Sequence, residues 1–471
     1  MGDGALLDLV SRGRKDAYFT NAEARRTWFG APYERRSAST REIRVEYPET
    51  GARFGHWVDI ELPRVGDILY SADIRIQMPT WLPAPVAALN KTHTVEVESR
   101  VWPGTFLQYG WTNGVANYLI KRWAIFADNV MLLEGWGEFN SWFPDMDTSH
   151  LHAPLLHAST GIHTATPREL QRAATPGELV FRLPLMGCQG DRDVGLPLCA
   201  LSGQRLYVRL WLADKKDLAE SSLKGFVPGP TPGTFLPEYE ICPEPWNSRA
   251  IRIDGISSEY TTLMDYEMAQ PYIYGRFGVL HLDEEARVAL RSIPHSITFR
   301  QEQREDFIIK PDDFAAGKLK RRLEIHGMFQ ALYLTITSEA RIQQNKYRLI
   351  DPPIYPVSGE WLSNLSLTVN SQDRILEWPP KKFQELANNT QMRRDIHPRL
   401  YFLIFGVNPY VHEPAGTCNL SRTQKATLAL NLITPPPDPT TGSNQAFASI
   451  LGLSWNVFEI RDGICRLKYA D

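Results

Sequence analysis

A period of two constrains this chain more than any other feature of its sequence. Across Ile68–Met78, the residues Ile68, Tyr70, Ala72, Ile74, Ile76 and Met78 alternate with Leu69, Ser71, Asp73, Arg75 and Gln77. Successive side chains of an extended chain point to opposite faces, so this run predicts a strand with one apolar and one largely polar face. Leu206, Val208, Leu210 and Leu212 repeat the pattern, all expected inward. Phe329, Ala331 and Tyr333 stand opposite Leu332, Leu334 and Ile336 in the same way. Leu365 and Val369, then Leu428, Leu430 and Leu432, also read as strand. Many half-buried strands split by Pro and Gly turns predict an all-β sandwich or barrel.

Helices are expected to be short. Thr166-Pro167-Arg168-Glu169 is a well-formed start, with Thr at the N-cap, Pro at the first helical position and Glu two residues later. Asp283–Leu290 and Lys381–Asn388 are two further candidates. Leu6, Leu7 and Val10 predict a short amphipathic helix at the N-terminus, ended by Gly13.

Proline supplies the punctuation. The chain of 471 residues carries 34 Pro, and six of them fall within Phe226–Trp246. Proline breaks helices and favours extended, polyproline-like geometry, so this stretch reads as a linker between two β-rich halves. A second run, Pro435–Pro439, follows a late strand and predicts a surface loop. Length alone suggests about three domains, or two large sandwiches.

Charge excludes some partners. With 51 Lys and Arg against 54 Asp and Glu, the net charge is -3. That balance gives no general attraction to nucleic acid or an anionic membrane, and it suits packing beside copies of the same chain. No run approaches the 18 apolar residues of a membrane-spanning helix. The start, MGDGALLDLVSRGRKD, has charges on both sides of a short apolar run and does not read as a secretory signal. The five cysteines, Cys188, Cys199, Cys242, Cys418 and Cys465, contain no CxxC spacing. They predict neither a zinc site nor a disulfide framework, and suggest a reducing compartment.

Several clusters carry residue types that could do chemistry. Asp145, Asp147, His150, His152 and His157 could supply metal ligands, yet they lack a spacing such as HExxH. A loop at a solvent or subunit boundary accounts for them as well. Cys188 in Cys188-Gln189-Gly190-Asp191-Arg192-Asp193 has no partner His at a recognisable spacing, and Cys is usually a core residue. Trp136-Gly137-Glu138 and Gly187–Gly190 match no phosphate loop. The basic runs Lys318–Arg322 and Lys381-Lys382 lack interleaved aromatics and read as solvated faces. Sequons at Asn90, Asn364, Asn388 and Asn419 carry little weight. A paired-carboxylate glycosidase site leaves no local signature. We therefore expect no catalytic residues, no cofactor-binding residues and no metal ligands.

Several segments, taken in order, carry a resemblance. GALLDLVSRGRKDAYFT followed by TWFGAPYERRSAST resembles the opening of the major capsid proteins of nucleocytoplasmic large DNA viruses, through Gly13, Asp16, Tyr18, Trp28, Phe29, Tyr33 and Arg35. In YGWTNGVANYLIKRWAIFADNVMLLEGWGEFNSW, the residues Leu119, Ile120, Lys121, Glu138 and Trp142 match, while the family's Gly pair is Ala127-Asp128 here. Leu196-Pro197-Leu198, Ala200-Leu201 and Val208 are similar to the family's Leu-Pro-Leu and the strand after it. Leu282, Asp283, Glu284, Glu285, Arg287 and Ala289 resemble its LD-E motif. Gly416, Cys418, Asn419, Ser421 and Arg422 resemble its GxCNxSR motif, with Thr423-Gln424 replacing Ile-Asp. Asn456, Val457, Gly463, Leu467 and Tyr469 fit its last strands.

The resemblance implies two consecutive eight-stranded jelly-roll sandwiches with short helices in loops. The expected layout is an N-terminal anchoring arm at 1–25, a first jelly roll at 26–216, a Pro-rich linker at 217–249 and a second jelly roll at 250–471. It further implies a structural protein without enzymatic activity, forming homotrimeric pseudo-hexagonal capsomers of an icosahedral shell. Expected partners are copies of itself, minor capsid proteins and penton proteins, with indirect contact to an internal membrane and no direct nucleic-acid contact. The expected location is the virion capsid, assembled in host cytoplasm. The motif residues are then turn and packing determinants, with Arg422 pairing a carboxylate or capping strand ends. Two alternatives stay open: a minor capsid paralogue of the same fold, and a β-sandwich carbohydrate-binding protein or glycosidase, for which 13 Trp could stack on sugars.

Overall fold

The computed structural model describes residues 39–79, 95–97, 100–102, 109–147, 158–162, 176–185, 195–201, 203–221, 226–228, 235–237, 251–253, 270–338, 347, 361–389, 400–406, 414, 416–423, 425–434 and 445–469. The expected N-terminal arm and the helix start at Thr166 lie outside these residues.

Two face-to-face sandwiches account for the long strands. In the first, one sheet runs Ser39–Glu46, Tyr272–Leu282, Ile68–Gln77 and Leu196–Pro197, with Leu179–Arg182 also paired to Ile68–Gln77. The opposing sheet runs Trp57–Glu61, Leu206–Leu212, Ile120–Ala127 and Val130–Trp136. In the second, His295–Ile309, Ala446–Arg461, Met328–Ser338 and Leu400–Ile404 form one sheet, extended by Cys418–Asn419 and Ile464–Leu467. Lys318–Arg322, Ala426–Leu432, Leu362–Val369 and Gln372–Trp378 form the other. Leu179–Arg182 and Leu196–Pro197 act as one interrupted strand. When the strands are numbered in chain order within each sandwich, both halves show the order 1-8-3-6 against 2-7-4-5. Antiparallel sheets packed in this way are a jelly roll.

This topology moves a boundary. The eighth strand of the first sandwich is Tyr272–Leu282, which pairs with Ser39–Glu46 on one side and Ile68–Gln77 on the other. The first jelly roll therefore does not end at residue 216, nor does the second begin at 250. The Pro-rich stretch lies inside the loop between strands seven and eight. There Phe226–Pro228 pairs antiparallel with Phe235–Pro237, a short ladder rather than a purely polyproline-like linker. Proline marks where strands stop, and a long loop within one sheet needs such stops as much as a linker does. The second sandwich starts at His295, after the Glu284–Ser292 helix.

Local patterns behave as elementary physics predicts, with two informative exceptions. Leu206, Val208, Leu210 and Leu212 all point into the core, as do Leu428, Leu430 and Leu432. The Asp283 side chain accepts the Ala286 N–H at 3.0 Å and caps the Glu284–Ser292 helix. Pro380–Asn389 is helical where Lys381–Asn388 was expected. In Ile68–Gln77, however, the buried face is Leu69, Ala72, Ile74 and Ile76. A register shift against Gly278 and Val279 inserts one residue and reverses the alternation after Leu69. Tyr70 is thereby carried over Gly278, where any Cβ would meet its ring at 2.5 Å. The second exception is Phe329–Ile336, buried at every position instead of alternately. This strand is covered on both faces.

Two apolar cores result. One gathers Trp111, Trp123, Phe181 and Phe277, all fully buried. The other gathers Phe329, Tyr333, Phe383 and Phe402. Among the described residues, no helix is long and apolar enough to cross a membrane.

Candidate functional site

A polar constellation lies where the two sandwiches meet, and Trp136-Gly137-Glu138 builds it. The Val130–Trp136 strand turns directly into the Gly137–Asp147 helix. Two glycines make that turn possible. A Cβ on Gly135 would lie 2.5 Å from the Trp123 ring, and one on Gly137 would lie 2.0 Å from the Asn117 carbonyl oxygen. The sequence Gly-Trp-Gly is thus a close-packing device, not a phosphate loop.

The second sandwich meets this turn with the polar middle of His295–Ile309. The Trp136 N–H donates to Glu302 Oε2 at 3.0 Å. Arg304 Nη1 reaches Glu138 Oε2 at 3.1 Å, while its Nε holds Asp306 at 2.8 Å and its Nη2 donates to Ser449 Oγ at 3.2 Å. Glu302 is only 4% exposed. Burial pushes its carboxyl up to about 8, against the lowering effect of the Trp136 N–H and with the Glu134 charge adding to the rise. Glu134 is itself held by Arg122 Nε at 2.9 Å. Burial also raises the Glu138 carboxyl, opposed by Arg304. A charge-bearing group in low dielectric favours its neutral form unless a partner compensates; Arg304 offsets only part of the burial effect at Glu138, and at Glu302 only the Trp136 N–H opposes it.

Apolar side chains cross the joint in both directions. Phe139 and Trp142 leave the first sandwich and enter the core of the second, where Phe139 meets Tyr333 edge to face at 5.6 Å. Phe299, Phe458, Ile460 and Cys465 of the second sandwich enter the core of the first. Farther along, the Cys465 N–H donates to Gln204 Oε1 at 2.7 Å and the Gly203 N–H to the Gly463 carbonyl at 3.1 Å. The joint is a continuous packed layer, which explains why Phe329–Ile336 is buried on both faces.

Among the described residues, no group of three His, Cys, Asp or Glu is placed to hold a metal ion. Asp145 and Asp147 end the Gly137–Asp147 helix, while His150, His152, His157 and Cys188 lie outside the described residues. Lys318–Arg322 is an edge strand whose Lys318, Lys320 and Arg322 are exposed. Charged side chains on an edge resist unwanted strand pairing. Lys382 rests over the Trp378 ring at 4.3 Å. Asn364 is hydrogen-bonded to Asn431 across the sheet. Asn419 Oδ1 accepts the Arg422 N–H at 3.2 Å and its carbonyl takes the Thr423 hydroxyl, so the GxCNxSR stretch is a turn. Asp128, in place of a glycine, adopts φ 50° between two strands. Glu302, Arg304 and Phe299 were not singled out from sequence. The signal was present in Gln301–Asp306, six polar residues in a row within one strand, which no single solvated face requires.

Comparisons with known proteins point one way. No family model matches the chain. The major capsid proteins of Chrysochromulina ericina virus and Phaeocystis pouchetii virus are each 30% identical over 105 residues, 22% of this chain. The chain spans about a fifth of the length of these relatives, 18% and 20% respectively. Among solved structures, the PBCV-1 virus capsid model superposes with a TM-score of 0.67 at 15% identity, covering 94% of this chain and 100% of that one. The Faustovirus major capsid protein gives 0.64 at 11% identity, covering 97% and 96%. With the strand order repeated in both halves and the likeness running the length of the chain, the protein is a double jelly roll, similar in fold to the major capsid proteins of large DNA viruses.

Proposed function

We propose that this chain is a major capsid protein that assembles as homotrimeric, pseudo-hexagonal capsomers of an icosahedral shell. The observation that carries the reading is the pair of jelly rolls with one strand order, fused across a shared apolar layer. Two similar sandwiches per chain give six per trimer, and a three-fold ring of heterologous contacts closes without leaving a free patch. The near-neutral charge of -3 limits repulsion between many copies. On this reading its neighbours are other capsomers, minor capsid proteins and penton proteins. It meets an internal membrane only indirectly and does not contact the genome. Its place is the virion shell, put together in the host cytoplasm, and the 1–25 arm anchors the capsomer base.

Size-exclusion chromatography with light scattering tests the reading, followed by electron microscopy. The expected species has three times the 53.6 kDa chain mass and a pseudo-hexagonal outline. A stable monomer that binds or cleaves glycans would refute it. A protein that forms the trimer but is scarce in purified virions would instead be a minor paralogue.

A further inference from the structure

The two sandwiches share one strand order, yet each gives a different surface to the joint between them. The first gives the end of its fifth strand, Val130–Trp136. There the Trp136 N–H donates to Glu302 and Glu138 meets Arg304, both on the first strand of the second sandwich. The second gives its 1-8-3-6 sheet, whose third strand is buried along Phe329–Ile336 as a result. Within one chain this contact can be made once. It leaves over the 1-8-3-6 sheet of the first sandwich and the fifth strand of the second, which are the two halves of the same kind of contact.

Both surfaces left over hold apolar side chains in the open. In Tyr272–Leu282, Ile273 and Phe277 point into the core, so Tyr272, Tyr274 and Arg276 lie on the outer face. The register sets Ile43 opposite Gly278 and Val45 opposite Arg276, which puts both on that same face. Ile43, Val45, Tyr47 and Tyr272 are between 41% and 62% exposed. The Tyr47 and Tyr272 rings lie 6.0 and 5.8 Å from the Tyr274 ring, so the aromatic part of the patch is contiguous. A contiguous exposed patch of this kind marks an interaction surface, whereas single apolar residues do not. Arg75 pairs with Glu178 and Arg182 with Asp73 on the neighbouring strands, so apolar contact selects the occupant here more than charge does. On the second sandwich, Leu376 is 62% exposed beside the buried Ile375. Leu376-Glu377-Trp378 ends this fifth strand much as Leu133-Glu134-Gly135-Trp136 ends the other. One difference separates them: Phe139 crosses into the adjoining sandwich, whereas Phe383 packs on Tyr401 and Phe402 of its own. The surface left over is therefore a strand end, without a helix that inserts.

We propose that the outer face of the first sandwich around Ile43, Val45, Tyr47 and Tyr272 receives the fifth-strand end of the second sandwich of another copy, with Leu376 and Trp378 against it. The joint inside the chain is thereby continued between chains. The contact is heterologous, because each copy gives one surface and takes the other, and it closes into a ring when its rotation divides a full turn. The inference rests on the capsid reading for the number of copies, three, while the choice of surfaces comes from the repeated strand order.

The test is light scattering of the full-length protein with I43E/V45E, with L376E, and with V288E as a control at an exposed apolar residue of the Glu284–Ser292 helix. The wild type and V288E should be trimers. I43E/V45E and L376E should each need at least tenfold more protein to assemble, and each should run as a 53.6 kDa monomer when dilute. Mixed, these two variants should form a dimer, since each keeps the surface that the other has lost. Circular dichroism and melting establish that each variant is folded, and V45S and L376S serve where a charged variant is not. Folded variants that stay trimeric, a loss in one variant only, or a mixture that stays monomeric would overturn the proposal. The outcomes separate the two ideas. A wild-type trimer untouched by both substitutions removes these surfaces alone. A wild-type ring or filament of another number, dissolved by both, removes the capsid reading alone, and a wild-type monomer removes both.

Discussion

Glu302 concentrates the electrostatics of the joint in one side chain. Its ordinary value of 4.5 rises to about 8 because burial penalises the charged form. Between those values the folded protein holds a proton that the unfolded chain has released. The stability it confers is therefore complete below about pH 4.5, declines as pH rises, and levels off above about pH 8. Glu302→Gln keeps a carbonyl oxygen for the Trp136 N–H and removes the titration. It should match the wild type near pH 4.5 and exceed it at pH 8, by up to roughly 4–5 kcal/mol. Chemical denaturation at several pH values checks this, and a difference independent of pH would contradict it. Gly137 makes a second, purely steric prediction. An added methyl would collide with two backbone carbonyls, of Asn117 and Ile120, and backbone cannot step aside as a side chain can. Gly137→Ala should cost at least ~1–3 kcal/mol, read from the shift in denaturation midpoint.

Elements explain why these residues are where they are. The Gly137–Asp147 helix belongs to the first sandwich by sequence and to the core of the second by packing. Phe139→Ala should therefore lower stability by ~3–5 kcal/mol and raise amide exchange in Met328–Ser338, a strand nearly 200 positions away. Exchange unchanged in that strand would show the helix to be dispensable there. Individual elements were legible in the sequence wherever one face met solvent: Leu206–Leu212 alternates because only one side is buried, and Asp283 caps a helix by a three-residue rule. Legibility failed where both sides are covered, as in Phe329–Ile336: alternation marks a strand, but it does not say which face is buried when even Gln330 and Thr335 are covered. It failed also at Tyr70, where an inserted residue reverses the alternation. The joint stayed hidden for a related reason: Glu138 was visible as a motif residue, but its partner Arg304 lies over 160 positions away.

At the scale of the molecule, the resemblance between ordered motifs identified the architecture, and it could not place the border between its halves. Pairing of Tyr272–Leu282 with Ile68–Gln77 joins segments almost 200 residues apart, beyond the reach of any local pattern. A fragment ending at residue 249 lacks the strand that bridges Ser39–Glu46 to Ile68–Gln77, and should show no cooperative melting transition. A fragment ending at 293 retains it and should melt cooperatively, at a lower temperature than the whole chain because its half of the joint is bare. Calorimetry of the two fragments decides between this border and one at 249.

That same late strand sets a schedule for synthesis. Ser39–Glu46 pairs with Tyr272–Leu282 and with no other strand among the described residues, so it has no partner until the ribosome has moved some 70 residues beyond Leu212. At ~5–20 residues per second, that is a wait of roughly 4–14 s with two strand edges open. Open edges recruit other strands, and on a polysome the nearest are those of identical nascent chains. A nascent chain arrested before residue 272 should bind hydrophobic-surface probes and chaperones, and one arrested well past 282 should release them.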